Sequence, residues 1–433
     1  MAIPVFRFAP WQPPEVLAPA PAVAPVARPR TALLLAAVTA LAMVMFVVLG
    51  PLLWSQDPSQ QWLSQISRGP TPALAARLVD GERAAPLPAI PPRRLQVLES
   101  NTERVQLRWP APAGVKRYRL YRADARQPGL GLPLWQGRAR AYEDHLQLRR
   151  KVYRYTLVDA DTNLQLFSVE TRPEPAISLF EAQLQGLVGA DDGRLPEFVM
   201  LPAHPMGTDA LGRDLLARLM AGGRSSLFVG IVAPLLFIGF GSVFGGLAGY
   251  VGGSFDQFAM RLADFVVALP FLLFMILLRI AFGIGPGENG ILPLILAMLL
   301  LSWPSSARLI RGQVLALRSQ AFIDSARLSG VGSARLLWRH ILPNVLPMLL
   351  VAFSFAIPQA IFTEAFLSFI GMGVSPPSTS WGAMCNDGIK TLLSQPRQLL
   401  WPAAMISIAV LSFNILGDAL RDVSDKRSGG LAQ

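Results

Sequence analysis

Residues 31–54, TALLLAAVTALAMVMFVVLGPLLW, contain no charge. At 1.5 Å rise per residue, about 20 apolar residues carry a helix across a bilayer. The run exceeds the ~7–15-residue apolar core of a cleaved signal peptide, so it reads as an uncleaved first span. Arg28 and Arg30 on its N-terminal side put that end in the cytoplasm. Five further apolar runs follow: Ser225–Val251, Asp264–Phe282, Gly290–Trp303, Val345–Met372 and Leu399–Leu420. The short third of these continues past Pro304 and Ser305 toward Arg308. The chain therefore reads as an all-α polytopic membrane protein with six transmembrane helices, both termini cytoplasmic.

Composition narrows the function. Hydrophobic residues make up 52% and charged residues 15% of the chain, against about 25% charged in an average soluble protein. An ordinary soluble enzyme and a disordered chain are both excluded. One Cys (Cys385) and three His (His145, His204, His340) leave no internal disulfide and too few ligands for a Cys/His zinc site. No Lys follows a Gly, so there is no P-loop. There is no Gly-x-Ser-x-Gly elbow either. No catalytic residue, metal or cofactor is assigned to this chain, and nucleotide chemistry is left to another one.

The net charge of +11 is read through the membrane. The connection 304–344 carries Arg308, Arg311, Arg318, Arg327, Arg335 and Arg339 against Asp324. With the tail residues Arg421, Lys426 and Arg427 it falls on the cytoplasmic side, while the cation-free loop 283–289 falls outside. The Arg-rich region 55–205 is also placed outside, because long domains translocate largely regardless of charge. The charge thus reports membrane orientation, with lipid and not nucleic acid as the partner.

Between the first two spans the pattern changes. Residues 1–30 read as a cytoplasmic tail and 55–91 as a Pro/Ala-rich linker. Within 92–172, RVQLRWP, VKRYRLYRAD, LPLWQG and KVYRYTLVDAD alternate polar and apolar residues between Pro, Gly and Asp. That is a strand pattern with turns, with Trp109, Tyr118, Tyr121, Tyr153 and Tyr155 as its aromatic core. The order V-x-L-x-W, Y-x-L-Y-R, Y-x-D, Y-x-Y-x-L resembles a fibronectin type III β-sandwich, inserted on the outer side. Residues 173–224 are a linker and outer entrance segment, 225–424 the five-span core, and 425–433 a cytoplasmic tail.

The segment 319–344, SQAFIDSARLSGVGSARLLWRHILPN, reads as two short amphipathic helices. Phe322, Ile323 and Ala326 share one face of the first, and Gly330 takes the left-handed position that ends it. Ser333 caps the second, which carries Leu336, Leu337 and Ile341. The bland reading is a helix pair resting on anionic lipid; the functional one is a peg that docks into a partner. Asp324-Ser325-Ala326, Gly330 and His340-Ile341-Leu342-Pro343 stand at the spacing of the coupling-loop motif of ABC importer permeases. Three further segments resemble the dipeptide/oligopeptide/nickel branch of that family. They are His204-Pro205-Met206-Gly207-Thr208-Asp209-Ala210-Leu211-Gly212-Arg213-Asp214, Leu367 to Val374 with Ser380-Trp381-Gly382, and Asn414 to Asp418. The resemblance runs over 204–427, with Asp324-Ser325 replacing the usual Glu-Ala and the β-domain as an addition.

The resemblance implies a type I importer permease fold and a transporter subunit that is not itself an enzyme. It implies a second, homologous permease, two ATPases that hold ATP and Mg, and an extracytoplasmic binding protein. The peg would then couple ATP hydrolysis to passage of peptides or similar solutes across the inner membrane. The outer entrance segment is Gly207, Thr208, Asp209, Gly212, Arg213 and Asp214. Export by the same machinery is the first alternative. A membrane-anchored interaction protein working through the β-domain is the second. Two more features are set down as expectations. Gly241, Gly245, Gly249 and Gly253 form a small-residue stripe on one helix face. Arg279 and Glu364 lie at similar depth and are paired across helices at the outer gate.

Overall fold

The structure is a computed structural model that describes residues 30–80, 88–89, 91–189, 195–283, 288 and 290–429. The tail expected over 1–30 lies outside these residues up to position 29, as does most of the 283–289 loop. Among the described residues five helices are long and apolar enough to cross a membrane, and a bent pair makes a sixth if counted as one span.

Helix α1 (Arg30–Leu53) is the first span. Helix α2 (Leu179–Leu184) is short and lies in the inserted region. Helix α3 (Leu215–Val251) begins ten residues before the expected edge, because Asp214 caps it by accepting from the Ala217 N–H. The single span expected over Asp264–Phe282 is instead α4 (Gly253–Val267) and α5 (Phe271–Ala281), bent by 85°. Pro270 sits at the break, where it has no N–H to donate and turns its predecessor away from the helical region. Helix α6 (Ile291–Leu317) continues through Pro304 as expected and runs on past Arg308 to Leu317.

Helix α7 (Ala321–Leu328) is separate. The second short helix expected after it is not: the turn α8 (Ser333–Arg335) passes through a wide π turn at Leu336–Ile341 into α9 (Leu342–Phe369). Its cap residue is Gly332 rather than Ser333. Pro343 falls in the first turn of α9, where a missing N–H costs nothing. Helices α10 (Trp381–Ile389) and α11 (Arg397–Gly429) complete the chain. One core joins α1, α3, α9, α10 and α11 around Leu219, Ile361 and Trp381. A second joins α3, α5, α6 and α9 around Met275, Leu294 and Leu367.

Among its described residues the inserted region holds ten strands: β1 (Leu74–Val79), β2 (Gln96–Ser100), β3 (Val105–Arg108), β4 (Tyr118–Asp124), β5 (Leu132–Gly137), β6 (Ala141–Asp144), β7 (Tyr153–Asp159), β8 (Gln165–Thr171), β9 (Ala176–Ser178) and β10 (Phe198–Leu201). A three-stranded sheet β2-β3-β6 faces a four-stranded sheet β5-β4-β7-β8. Both contribute to one core of Leu107, Trp109, Tyr118, Leu120, Tyr155 and Leu157. Alternation puts Tyr118 and Leu120 of β4 and Tyr153, Tyr155 and Leu157 of β7 into it. Tyr121 is not part of this buried core; it stands on the opposite face from Tyr118 and Leu120. Within the core, the Tyr155 hydroxyl donates to Asp144 at 2.7 Å, and Arg122 donates to the same carboxylate at 2.6 Å.

The stretches read as linkers, 55–91 and 173–224, are also structured in part. Strand β1 pairs antiparallel with β10 and parallel with β9, in the order β10-β1-β9. The three strands cover Trp62, Ile177, Ala182 and Val199. The chain thus enters and leaves the sandwich at adjacent strands, and this small sheet joins sandwich to spans.

Candidate functional site

The loop between α6 and α9 forms a rigid knob. Helix α7 ends with the Gly330 N–H donating to the Arg327 carbonyl at 2.9 Å and the Val331 N–H to Ala326 at 3.1 Å. Gly330 has φ +79°, and this pair of bonds is the Schellman ending. Ile323 is fully buried with Ile310, Val314, Leu336, Leu337, Ile341 and Val345. Phe322, expected on the same face, points outward instead, one helical position away. Leu328 is 91% exposed, and Trp338 is exposed too. The knob is therefore anchored by one apolar face and displays a second.

The other residues singled out here divide between the two faces. Asp324 and Ser325 are exposed; Asp324 lies 3.4 Å from Arg327, and Ser325 donates to the Ala321 carbonyl. Ala326 is half-buried. The His340 carbonyl accepts from Asn344 at 2.6 Å. Leu342 turns inward toward Gly246, so it braces the knob from behind.

The outer segment is tied together more tightly than its sequence implies. His204 Nδ1 meets Asp214 at 2.9 Å, and the same carboxylate accepts from the Trp54 indole at 2.9 Å. Asp209 is buried and accepts from the Leu211 and Arg213 N–H groups, from the Arg213 guanidinium at 2.7 Å, and from Arg218. Arg213 and Arg218 both reach Asp387, beyond α10's first turn, at 3.2 and 3.0 Å. Gly207 (φ +84°) and Gly212 (φ +77°) make the turns. A Cβ at Gly207 would stand 2.5 Å from the Arg68 carbonyl, and one at Gly212 2.0 Å from that of Trp62. Thr208 exchanges backbone and hydroxyl bonds with Arg68 and Gln65. This segment is a clamp joining the first span, the insert, α3 and α10, its polar groups turned on one another.

The expected Arg279–Glu364 pair does not form. Both Glu364 oxygens accept from hydroxyls, Ser226 and Ser368, at 2.7 Å each. Arg279 donates to the Gly371 carbonyl at 3.1 Å. Glu364 lies fully buried in the interior of the bundle, and Arg279 lies at a rim. Two serines one helix turn or one helix away offer the carboxylate closer partners. Ser226 also accepts from the Trp381 N–H and Ser368 from the Val374 N–H, so Glu364 knots α3, α9 and the loop before α10. Ser226 was not singled out in the sequence, and Ser368, one turn after Glu364, stood there only inside the segment Leu367 to Val374. Asp264 pairs with Arg308 across to α6 at 3.0 Å.

The glycine stripe loses one member. A Cβ at Gly241, Gly245 or Gly249 would stand 2.2, 2.1 or 2.9 Å from atoms of α6. These three let α3 and α6 touch backbone to backbone within the subunit. Gly253 starts α4 at φ +58° with open space beside it, because α3 has already ended at Gly252.

A cavity of about 800 Å³ lies between α3, the α4–α5 bend, α6 and α9. Its walls are largely apolar, with Ser302, Ser305, Ser306, Gln359 and Thr363 as polar points. Among the described residues no ionisable side chain lines it. The sequence reading missed this wall, although Gln359 and Thr363 stand one turn apart inside an apolar run.

Apolar spans, clamp and knob define a polytopic membrane protein. Residues 241–429 match the model of the binding-protein-dependent transport system inner membrane component. The oligopeptide transport system permease protein OppC of Bacillus subtilis (strain 168) is 38% identical over 253 residues, 58% of this chain and 79% of that protein. The dipeptide transport system permease protein DppC of the same organism is 40% identical over 52% of this chain and 69% of its own length. The nickel transport system permease protein NikC of Escherichia coli (strain K12) is 39% identical over 53% and 82%. The chain belongs to this family: it is an ABC importer permease subunit of the peptide/nickel branch, multi-pass in the inner membrane and not itself an enzyme.

Proposed function

We propose that this subunit pairs with a second, homologous permease to form a pore for short peptides. Two ATPases would drive it through the knob at 321–341. An extracytoplasmic binding protein would deliver the substrate. Six crossings with both termini in the cytoplasm fit the charge pattern, with α4 and α5 sharing one crossing and 55–205 outside. The sandwich, with sheets β2-β3-β6 and β5-β4-β7-β8, is read as fibronectin type III-like. The uncharged cavity between α3, α6 and α9 would be this subunit's half of the pathway.

One observation carries the coupling reading: Phe322, Leu328 and Trp338 are exposed on a knob whose own core is already complete. Exposed apolar side chains on a rigid, basic projection are best explained by a partner groove. ATP-driven movement of that groove would swing the knob and, through α8 and α9, the cavity wall.

The test is a mild-detergent pull-down of the tagged chain with mass spectrometry of its partners. Leu328→Asp and Gly330→Val are run beside it. Two ATPases and a second permease should co-purify and be lost with Leu328→Asp. Gly330→Val is expected to insert normally and to uncouple uptake from ATP hydrolysis. Normal uptake by both variants would sink the coupling role.

A further inference from the structure

A second cavity, of about 550 Å³, lies where the segment 63–68, the sandwich, α2 and the turn before α11 meet. That is within the size range of small-ligand sites, roughly 300–1,000 Å³. Two guanidinium groups, Arg68 and Arg149, and two carboxylates, Glu103 and Glu181, line it. A purely anionic ligand would meet both carboxylates, and a purely cationic one both guanidiniums. A ligand with one charge of each sign meets neither penalty. Glu181 is already engaged by the N–H and hydroxyl of Ser64. The Glu103 carboxylate and the Arg68 guanidinium are half-buried and sense each other, yet neither makes a side-chain hydrogen bond or ion pair among the described residues. Burial pushes the Glu103 carboxyl up and the Arg68 guanidinium down. Each carries a half-buried charge with no hydrogen bond of its own side chain among the described residues.

The backbone points to the same place. Three non-glycine residues have left-handed φ among the described residues, and two line this cavity, Ser67 (φ +50°) and Gln147 (φ +43°). Strain of this kind gathers at ligand sites, where surrounding structure holds it. Leu63, Ile66 and Phe180 also line the cavity and are exposed, Phe180 by 71%. The walls thus offer apolar surface beside opposite charges.

We propose that this cavity binds a short zwitterionic peptide. Glu103 would take the α-ammonium, Arg68 with Arg149 the terminal carboxylate, and the apolar rim the side chains. The cavity would hold peptide beside the outer face of the spans, which gives the inserted sandwich a role in capture. This deepens the peptide reading above and rests on it for direction of transport, but not for binding.

The test uses the full chain purified in detergent. Tri-alanine, its N-acetyl form and its C-terminal amide are titrated by calorimetry. The free peptide should bind, and each capped form should bind about tenfold more weakly or worse, the usual weight of one charged hydrogen bond. Glu103→Gln should erase the preference for a free ammonium, and Arg68→Gln that for a free carboxylate. The capped series on the unaltered protein stands even where a variant misfolds. Absence of binding, or binding indifferent to capping, overturns the proposal. Glycerophosphoethanolamine is titrated in parallel, and tighter binding than tri-alanine would reassign the cavity to a lipid headgroup and overturn it as well. Loss of ATPase co-purification would sink the coupling reading and leave this titration untouched, so the two failures are distinguishable.

Discussion

Gly245 and Gly253 stand two helix turns apart in the chain and have opposite surroundings. At Gly245 a Cβ would lie 2.1 Å from the Ala307 carbonyl oxygen, so Gly245→Val must push α3 off α6. Overpacking of this kind costs about 1–3 kcal/mol, read as a lower melting point in detergent. At Gly253 the space is open and only φ +58° opposes a side chain, so Gly253→Ala should cost about 1 kcal/mol. Equal losses at the two sites would refute the packing account. Asp209→Asn tests the clamp. It leaves Arg213 and Arg218 with Asp387 as their remaining acid, and breaking a buried pair costs roughly 3–5 kcal/mol. The expected result is poor accumulation in the membrane, while retained yield and melting point would mean that Asp387 suffices. What was legible at this scale was Gly330, whose left-handed backbone demands it. Glu364 was misassigned because its partners, Ser226 and Ser368, are small hydroxyls with no charge to draw attention. Depth along a helix places two charges at one level without placing them at one another.

Among the elements, alternation and apolar length were readable and bends were not. The sandwich strands showed through because Tyr118, Leu120, Tyr153, Tyr155 and Leu157 repeat every second residue. Strands β1, β9 and β10 did not, since each is at most six residues long and its partners lie about a hundred residues away. The right-angle bend between α4 and α5 was hidden because hydropathy does not register the direction of a helix. The sandwich also carries an acid dependence. Asp159 is held below the ordinary carboxyl value by the Asp161 N–H and the Thr162 hydroxyl, and Asp124 by the Lys151 ammonium. A carboxyl whose folded pKa is lowered stabilises the fold above its ordinary value, 3.8, and loses that contribution as pH falls through and below it. Amide exchange in β7, corrected for its intrinsic rate, should therefore lose protection below about pH 4. Asp159→Asn should make that loss shallower, and an unchanged profile would remove Asp159 as a contributor.

At the scale of the whole molecule, the insert is held by its own small sheet. Arg77 of β1 stands opposite Ala176 of β9, so the strands leading into and out of the sandwich are neighbours. Thr71 pairs with His204 and Thr208 with Arg68, which fixes that sheet to the clamp above α3. The sandwich core, by contrast, contains only its own residues. Replacing 92–172 by a short Gly/Ser linker should thus leave β10-β1-β9, the clamp and the spans intact. The shortened chain should insert in the membrane and, on the coupling reading, retain ATPases to the same extent as the full chain. It should fail to bind tri-alanine, because Glu103 and Arg149 leave with the sandwich while Arg68 and Glu181 remain. Loss of membrane insertion would show that the sandwich is part of the permease's folding unit. Retained peptide binding would place capture on the spans and their clamp, and the sandwich would then be a spacer.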